Sequence, residues 1–119
     1  TLREKMRNGS LSFFRASWVA DYPDEESFMT VFYSKNPAPP NYTRFKNESF
    51  DRLYDRAIVE IDMDKRKKIF QDMDRIIIEE APVIFLFYDQ VAWFSQQNIQ
   101  NLEGNALNLL KLETVNEKN

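Results

Sequence analysis

Asp21 stands in the run Trp18-Val19-Ala20-Asp21-Tyr22-Pro23-Asp24, directly after an apolar stretch and between two large aromatics and a proline. From local chemistry two roles are open to it. Ahead of Tyr-Pro-Asp its oxygens can cap a turn by accepting backbone N–H groups. Drawn into a cleft, the same carboxylate becomes an anchor held by charge-assisted hydrogen bonds. Asp24 adds a third possibility, a pair of carboxylates doing acid and base work. Arg15 supplies a forked cation on the same stretch, and Trp18 a large apolar face with a single N–H donor. The chain has no cysteine and no histidine. That excludes a disulfide framework, a thiolate nucleophile, Cys/His zinc sites and every hydrolytic triad with an imidazole base.

The elements that must position these residues follow from pattern. Leu11 to Ala20 is rich in aromatic and small residues with little charge, which predicts a largely buried strand feeding into Asp21. In a regular strand Arg15 and Asp21 share one face and Trp18 points the other way. For all three to line one cleft, the strand must bend, bulge or end between Trp18 and Asp21. Upstream, Leu2 to Asn8 followed by Gly9 reads as the last turns of a helix, begun further back, with a left-handed stop.

Downstream, Asp24 is placed to cap a short helix reaching about Tyr33, with Phe28, Val31 and Phe32 on one side. Ser34 to Asn41 is a proline-rich stiff connector. Asn47 or Ser49 caps a helix over 50–61 in which Phe50, Leu53, Tyr54, Ala57, Ile58 and Ile61 make one apolar stripe. A second helix over 64–80 repeats the pattern with Ile69, Phe70, Met73, Ile76 and Ile77. Lys65-Arg66-Lys67-Lys68, among acidic neighbours, reads as its solvated face. Pro82 to Tyr88 is a continuous apolar run suited to a central strand, and Val91 to Ser95 is placed to extend it or pair with it across Asp89-Gln90. Beyond Gln96 the chain reads as less regular, with a turn at Asn101 to Gly104 and a frayed end from Thr114.

At 119 residues the chain fits one domain, and 43% hydrophobic with 14% aromatic content is enough for an ordinary core. Sixteen basic residues against nineteen acidic ones give a net charge of −3, so a polyanion gains no net attraction and nucleic acid is set aside as a partner. No apolar run approaches the ~18 residues of a membrane span, and Thr1 to Met6 reads as neither signal peptide nor lipoprotein lead. Absence of cysteine fits an oxidising compartment without requiring one.

The run WVADYPDEESF, preceded by Arg15-Ala16-Ser17, resembles the W-x-A-D-Y-P-D-P segment of the family 5 extracellular solute-binding proteins, the oligopeptide- and dipeptide-binding subunits of ABC importers. Tyr42 to Leu53 is similar to that family's Y-x-N-P-x-F-D-x-L block, and Glu79 to Tyr88 resembles its D-x-P-x-I-P-L-Y strand. The likeness covers residues 8 to 104. Glu25 departs from it where the family often has a second proline, and Phe85 where P-L-Y would put one.

The resemblance implies an α/β fold, the C-terminal fragment of a two-lobed periplasmic-binding-protein-like (type II) architecture. Residues 1–88 would belong to the C-terminal ligand-binding lobe, and 89–119 would form the hinge return and a tail that goes with the other lobe. The implied role is the substrate-binding, non-enzymatic component of an ABC importer, clamping a peptide or related small solute between its lobes. Its place would be the periplasmic or extracellular face of the membrane, with the membrane permease as partner and a lipid anchor on the missing N-terminus as one option. Asp21 matches the acid of the W-x-A-D-Y block and would pair with the ligand's α-ammonium. Trp18 would form an apolar wall, and main-chain groups from Arg15 to Val19 would bond an extended ligand backbone. Arg15 would take a terminal carboxylate or an acidic side chain. No metal and no cofactor is expected. Relatives on this scaffold carry peptides, nickel complexes, haem or oligosaccharides, so the ligand stays open at this point. Two other classes compete: a helical interaction module without ligand, and a carboxylate-dependent hydrolase using Asp21 with Asp24. As a fragment, the chain is expected to expose apolar edges at 11–20 and 82–88 or to cover them by self-association.

Overall fold

The computed structural model describes residues 1–88, 92, 94–102 and 112–117. They fall into two units, Thr1–Ile84 and Phe85–Asn119. The division cuts through the run Pro82 to Tyr88.

The first unit is helical. Helix α1, Leu2–Asn8, opens on a capping box between Thr1 and Glu4 and stops at Gly9, whose φ of 70° is left-handed. Arg44 seals that end by donating to the carbonyls of Arg7 at 2.6 Å and Met6 at 3.4 Å. A Cβ at position 9 would lie 2.7 Å from its guanidinium carbon. Glycine is favoured there by its backbone angle, and the arginine tip uses the space that a side chain would take.

Helix α2 is shorter than expected, Glu26–Met29, and tightens into a 3-10 turn at Thr30–Phe32. The change of pitch rotates the buried face, so Met29 and Phe32 are inside while Phe28 is exposed. Asn41 pins the proline-rich loop that follows. Buried itself, it donates to the carbonyls of Tyr33 and Phe45 and accepts from the Phe45 N–H, so the connector is rigid.

Helix α3, Glu48–Ala57, starts where Asn47 accepts from the N–H groups of Ser49 and Phe50 at 2.9 and 3.0 Å. Its stripe runs out earlier than the periodicity predicts. Asp62 caps helix α4, Met63–Glu80, through the N–H groups of Asp64 and Lys65, and α3 gives way to a turn after Ala57. Ile58 and Ile61 are therefore exposed, Ile61 at 93%.

The core lies where α3 packs on α4 beneath the α2 layer. It consists of Phe50, Tyr54 and Ala57 against Ile69, Phe70, Met73 and Ile77, closed by Met29 and Phe32. Phe32, Phe45 and Phe50 meet edge to face with centroids 5.7 to 6.3 Å apart. Tyr33 stacks on Tyr54 at 4.2 Å. The Tyr54 hydroxyl donates to the Glu26 carboxylate, and burial together with that partner pushes its pKa up to about 12.

Neither long strand forms a ladder. Leu11 to Ala20 is irregular and mostly exposed, with Phe13 at 81%, and Ile84 to Tyr88 is exposed throughout. A strand needs a neighbour for its N–H and C=O groups, and among the described residues the one ladder is that of 99–100 with 116–117. In the second unit strand β1, Ile99–Gln100, pairs antiparallel with β2, Asn116–Glu117, setting Ile99 opposite Glu117. That pairing corrects the expectation of a frayed end over 116–117. The expected pairing of Val91 to Ser95 and the turn at Asn101 to Gly104 lie partly outside the described residues. Among the described residues no helix is long and apolar enough to cross a membrane.

Candidate functional site

Asp21 opens a series of bends, Asp21 to Asp24, that joins the irregular stretch 11–20 to α2. One residue ties this corner together. Ser27, only 1% exposed, accepts the Trp18 indole N–H on its carbonyl at 2.7 Å and the Asp21 backbone N–H on its hydroxyl at 3.0 Å. The stretch before Asp21 forms no regular strand, and Trp18 and Asp21 are both bonded to Ser27. Arg15 does not join them through Ser27; it is exposed and has a partner of its own in the chain.

The two aspartates of this corner differ in their partners. Asp24 receives a two-pronged bond from Arg66, Nη1 to Oδ2 at 2.6 Å and Nη2 to Oδ1 at 2.8 Å, and its Oδ1 also accepts from the Glu26 N–H at 2.8 Å. The Arg66 guanidinium holds the Asp24 carboxyl below its ordinary range, and Asp24 in turn raises Arg66. Arg66 also donates through Nε to the carbonyl of Ala57 at 3.0 Å and lies over the Phe70 ring at 4.8 Å. Asp21 is exposed, and its carboxylate makes no hydrogen bond or ion pair among the described residues. A shared acid and base pair finds no support here, because Asp24 is committed to Arg66.

Arg66 corrects the reading of Lys65 to Lys68 as a solvated face, since its side chain is only 14% exposed. The register carried the signal: 66 falls three, four, seven and eleven residues before Ile69, Phe70, Met73 and Ile77, on the buried stripe of α4. Ser27 had no such mark. A serine in the first turn of a short helix looks the same whether it caps that helix or holds a neighbouring loop.

The main chain from Ala16 to Ala20 makes no hydrogen bond among the described residues, so open donors and acceptors run up to the uncompensated carboxylate. Chemically the corner can receive a cation at Asp21, an apolar group against half-exposed Trp18, and an extended backbone along 16–20. Among the described residues no group of three or more His, Cys, Asp or Glu side chains is arranged to hold a metal ion.

No family model matches the chain. Curated proteins do. The chain is 25% identical over 99 residues, 83% of its length, to the oligopeptide-binding protein OppA of Bacillus subtilis (strain 168). It is 33% identical over 86 residues, 71% of its length, to the dipeptide-binding protein DppE of the same organism. Among solved structures it matches the periplasmic murein tripeptide binding protein MppA in its unliganded open form, with a TM-score of 0.63 and 29% identity over 66% of the chain. The homologues of this chain are family 5 peptide-binding proteins. The matched part is 18% of OppA, 16% of DppE and 15% of MppA, so the chain spans about a sixth of the length of these relatives. Its fold is that of part of a two-lobed periplasmic binding protein, in line with the W-x-A-D-Y resemblance. The homologues are binding proteins rather than enzymes, and are periplasmic or extracellular.

Proposed function

We propose that the protein carrying this chain is the non-enzymatic, substrate-binding component of an ABC importer for peptides, and that Asp21 receives the ligand's α-ammonium. The observation that carries this reading is the contrast at the corner: Asp24 is fully paired with Arg66, whereas Asp21 presents an uncompensated carboxylate next to the open main chain of 16–20. An ammonium docking there gains a charge-assisted bond that strengthens as water is excluded. Trp18, fixed by its own hydrogen bond, forms the wall beside it. Arg15 is the candidate for the ligand's carboxylate end.

In this reading residues 1–88 lie in the ligand-binding lobe and 89–119 lead back through the hinge. The protein works on the outer face of the membrane, hands its ligand to a permease, and carries any lipid anchor upstream of this segment. The test is native mass spectrometry of the full-length protein against a panel of di- to pentapeptides. Retention of intact peptides supports the reading. Release of cleaved peptides would make it an enzyme, and retention of none would leave an interaction module.

A further inference from the structure

We propose that Ser27 is a positioning residue for the ligand site, setting the distance between the Trp18 wall and the Asp21 carboxylate. This rests on the reading of Asp21 as the ammonium acceptor. Ser27 uses two different atoms for the two tasks, its carbonyl oxygen for the Trp18 indole at 2.7 Å and its hydroxyl oxygen for the Asp21 N–H at 3.0 Å. The partners lie nine and six residues back, on a stretch with no ladder to hold it. Ser27 bonds both of them to α2.

Ser27 is itself held through two residues that precede it. Asp24, three residues before it, is clamped to α4 by Arg66, and Glu26, immediately before it, accepts from the Tyr54 hydroxyl of α3. The packed helices therefore hold α2, and Ser27 passes that rigidity to the two residues that meet the ligand. Burial at 1% exposure keeps water from competing for the hydroxyl. The consequence is one of specificity. A carboxylate held at a fixed distance from the wall distinguishes a free amino terminus from a blocked one, and a carboxylate on a loose loop distinguishes them poorly.

The experiment uses the full-length protein as wild type, Ser27→Ala, Ser27→Thr and Asp21→Asn. The probes are the best-retained member of a tri- to pentapeptide panel and its N-acetylated form. The readout is the ratio of the two dissociation constants, which a general loss of stability would not move. For Ser27→Ala we expect this ratio to fall about tenfold, the order of one hydrogen bond, with Ser27→Thr recovering part of it by restoring the hydroxyl. An unchanged ratio in Ser27→Ala, including equal weakening of both probes, overturns the proposal. Asp21→Asn separates the two claims. If it collapses the ratio while Ser27→Ala does not, only the role of Ser27 is wrong. If it leaves the ratio at the wild-type value, or if the wild type retains no peptide, both claims fall.

Discussion

From Glu26 to Glu80 the apolar stripes turn inward and close a core, whereas Leu11 to Ala20 and Ile84 to Tyr88 carry comparable apolar residues that face outward. The difference is one of where backbone bonds are made. A helix pairs its own N–H and C=O groups, so α3 and α4 need only each other to bury Phe50, Met73 and Ile77. A strand takes its partner from elsewhere, and among the described residues neither outward-facing stretch is part of a ladder. Backbone outside a ladder is what an extended ligand or further chain can pair with. Asp24 and Asp21 stand on the two sides of that border, the first bound to the helical layer and the second projecting from it.

The strongest test of the contrast is truncation within the helical layer. Phe50→Ala should cost about 3–5 kcal/mol in urea unfolding of the 119-residue chain, because the ring is fully buried among Phe32 and Phe45. A cost near that of a surface change would mean the core is misplaced. Next comes the link between layers. Arg66→Met should cost about 2 kcal/mol at neutral pH, from the lost bonds to Asp24 and Ala57.

That effect should depend on pH in one direction. Arg66 lowers the Asp24 pKa below its ordinary 3.8, so the pair stabilises the fold above that value and ceases to do so as pH falls through the lower, folded one. The gap in stability between wild type and Arg66→Met should therefore be full at neutral pH and narrow below 3.8. A gap that widens with acid would contradict the ion pair. Tyr54→Phe, which loses the hydrogen bond to Glu26, should cost about 1 kcal/mol. At the small end, Ile61→Ala should stay within about 0.5 kcal/mol, since its side chain lies outside the core despite its periodic place in the sequence.

Ile61 also marks the limit of what the sequence could tell. The stripe through Phe50, Leu53, Tyr54 and Ala57 gave the helix and its face, but not the point at which Asp62 would compete for the chain as a cap. Arg66 was legible in register and was hidden by the lysines around it. The strands at 11–20 and 82–88 were inferred from composition, and composition reports that a stretch suits a ladder without reporting whether a partner exists. At the site, the need for a break between Trp18 and Asp21 followed from the alternation of a strand. That Ser27 bonds both residues did not, because its bonds run across six and nine residues to groups of no distinctive type.

The central claim is that Asp21 is the free carboxylate that meets the ligand's ammonium. Its most direct test is isothermal titration of the full-length Asp21→Asn protein with one peptide in free and N-acetylated form. The substitution keeps the shape of the side chain and removes the charge. We predict a loss of about 2 kcal/mol or more for the free peptide and much less for the acetylated one. Equal weakening of the two, or no change in either, would show that Asp21 does not receive the ligand's ammonium.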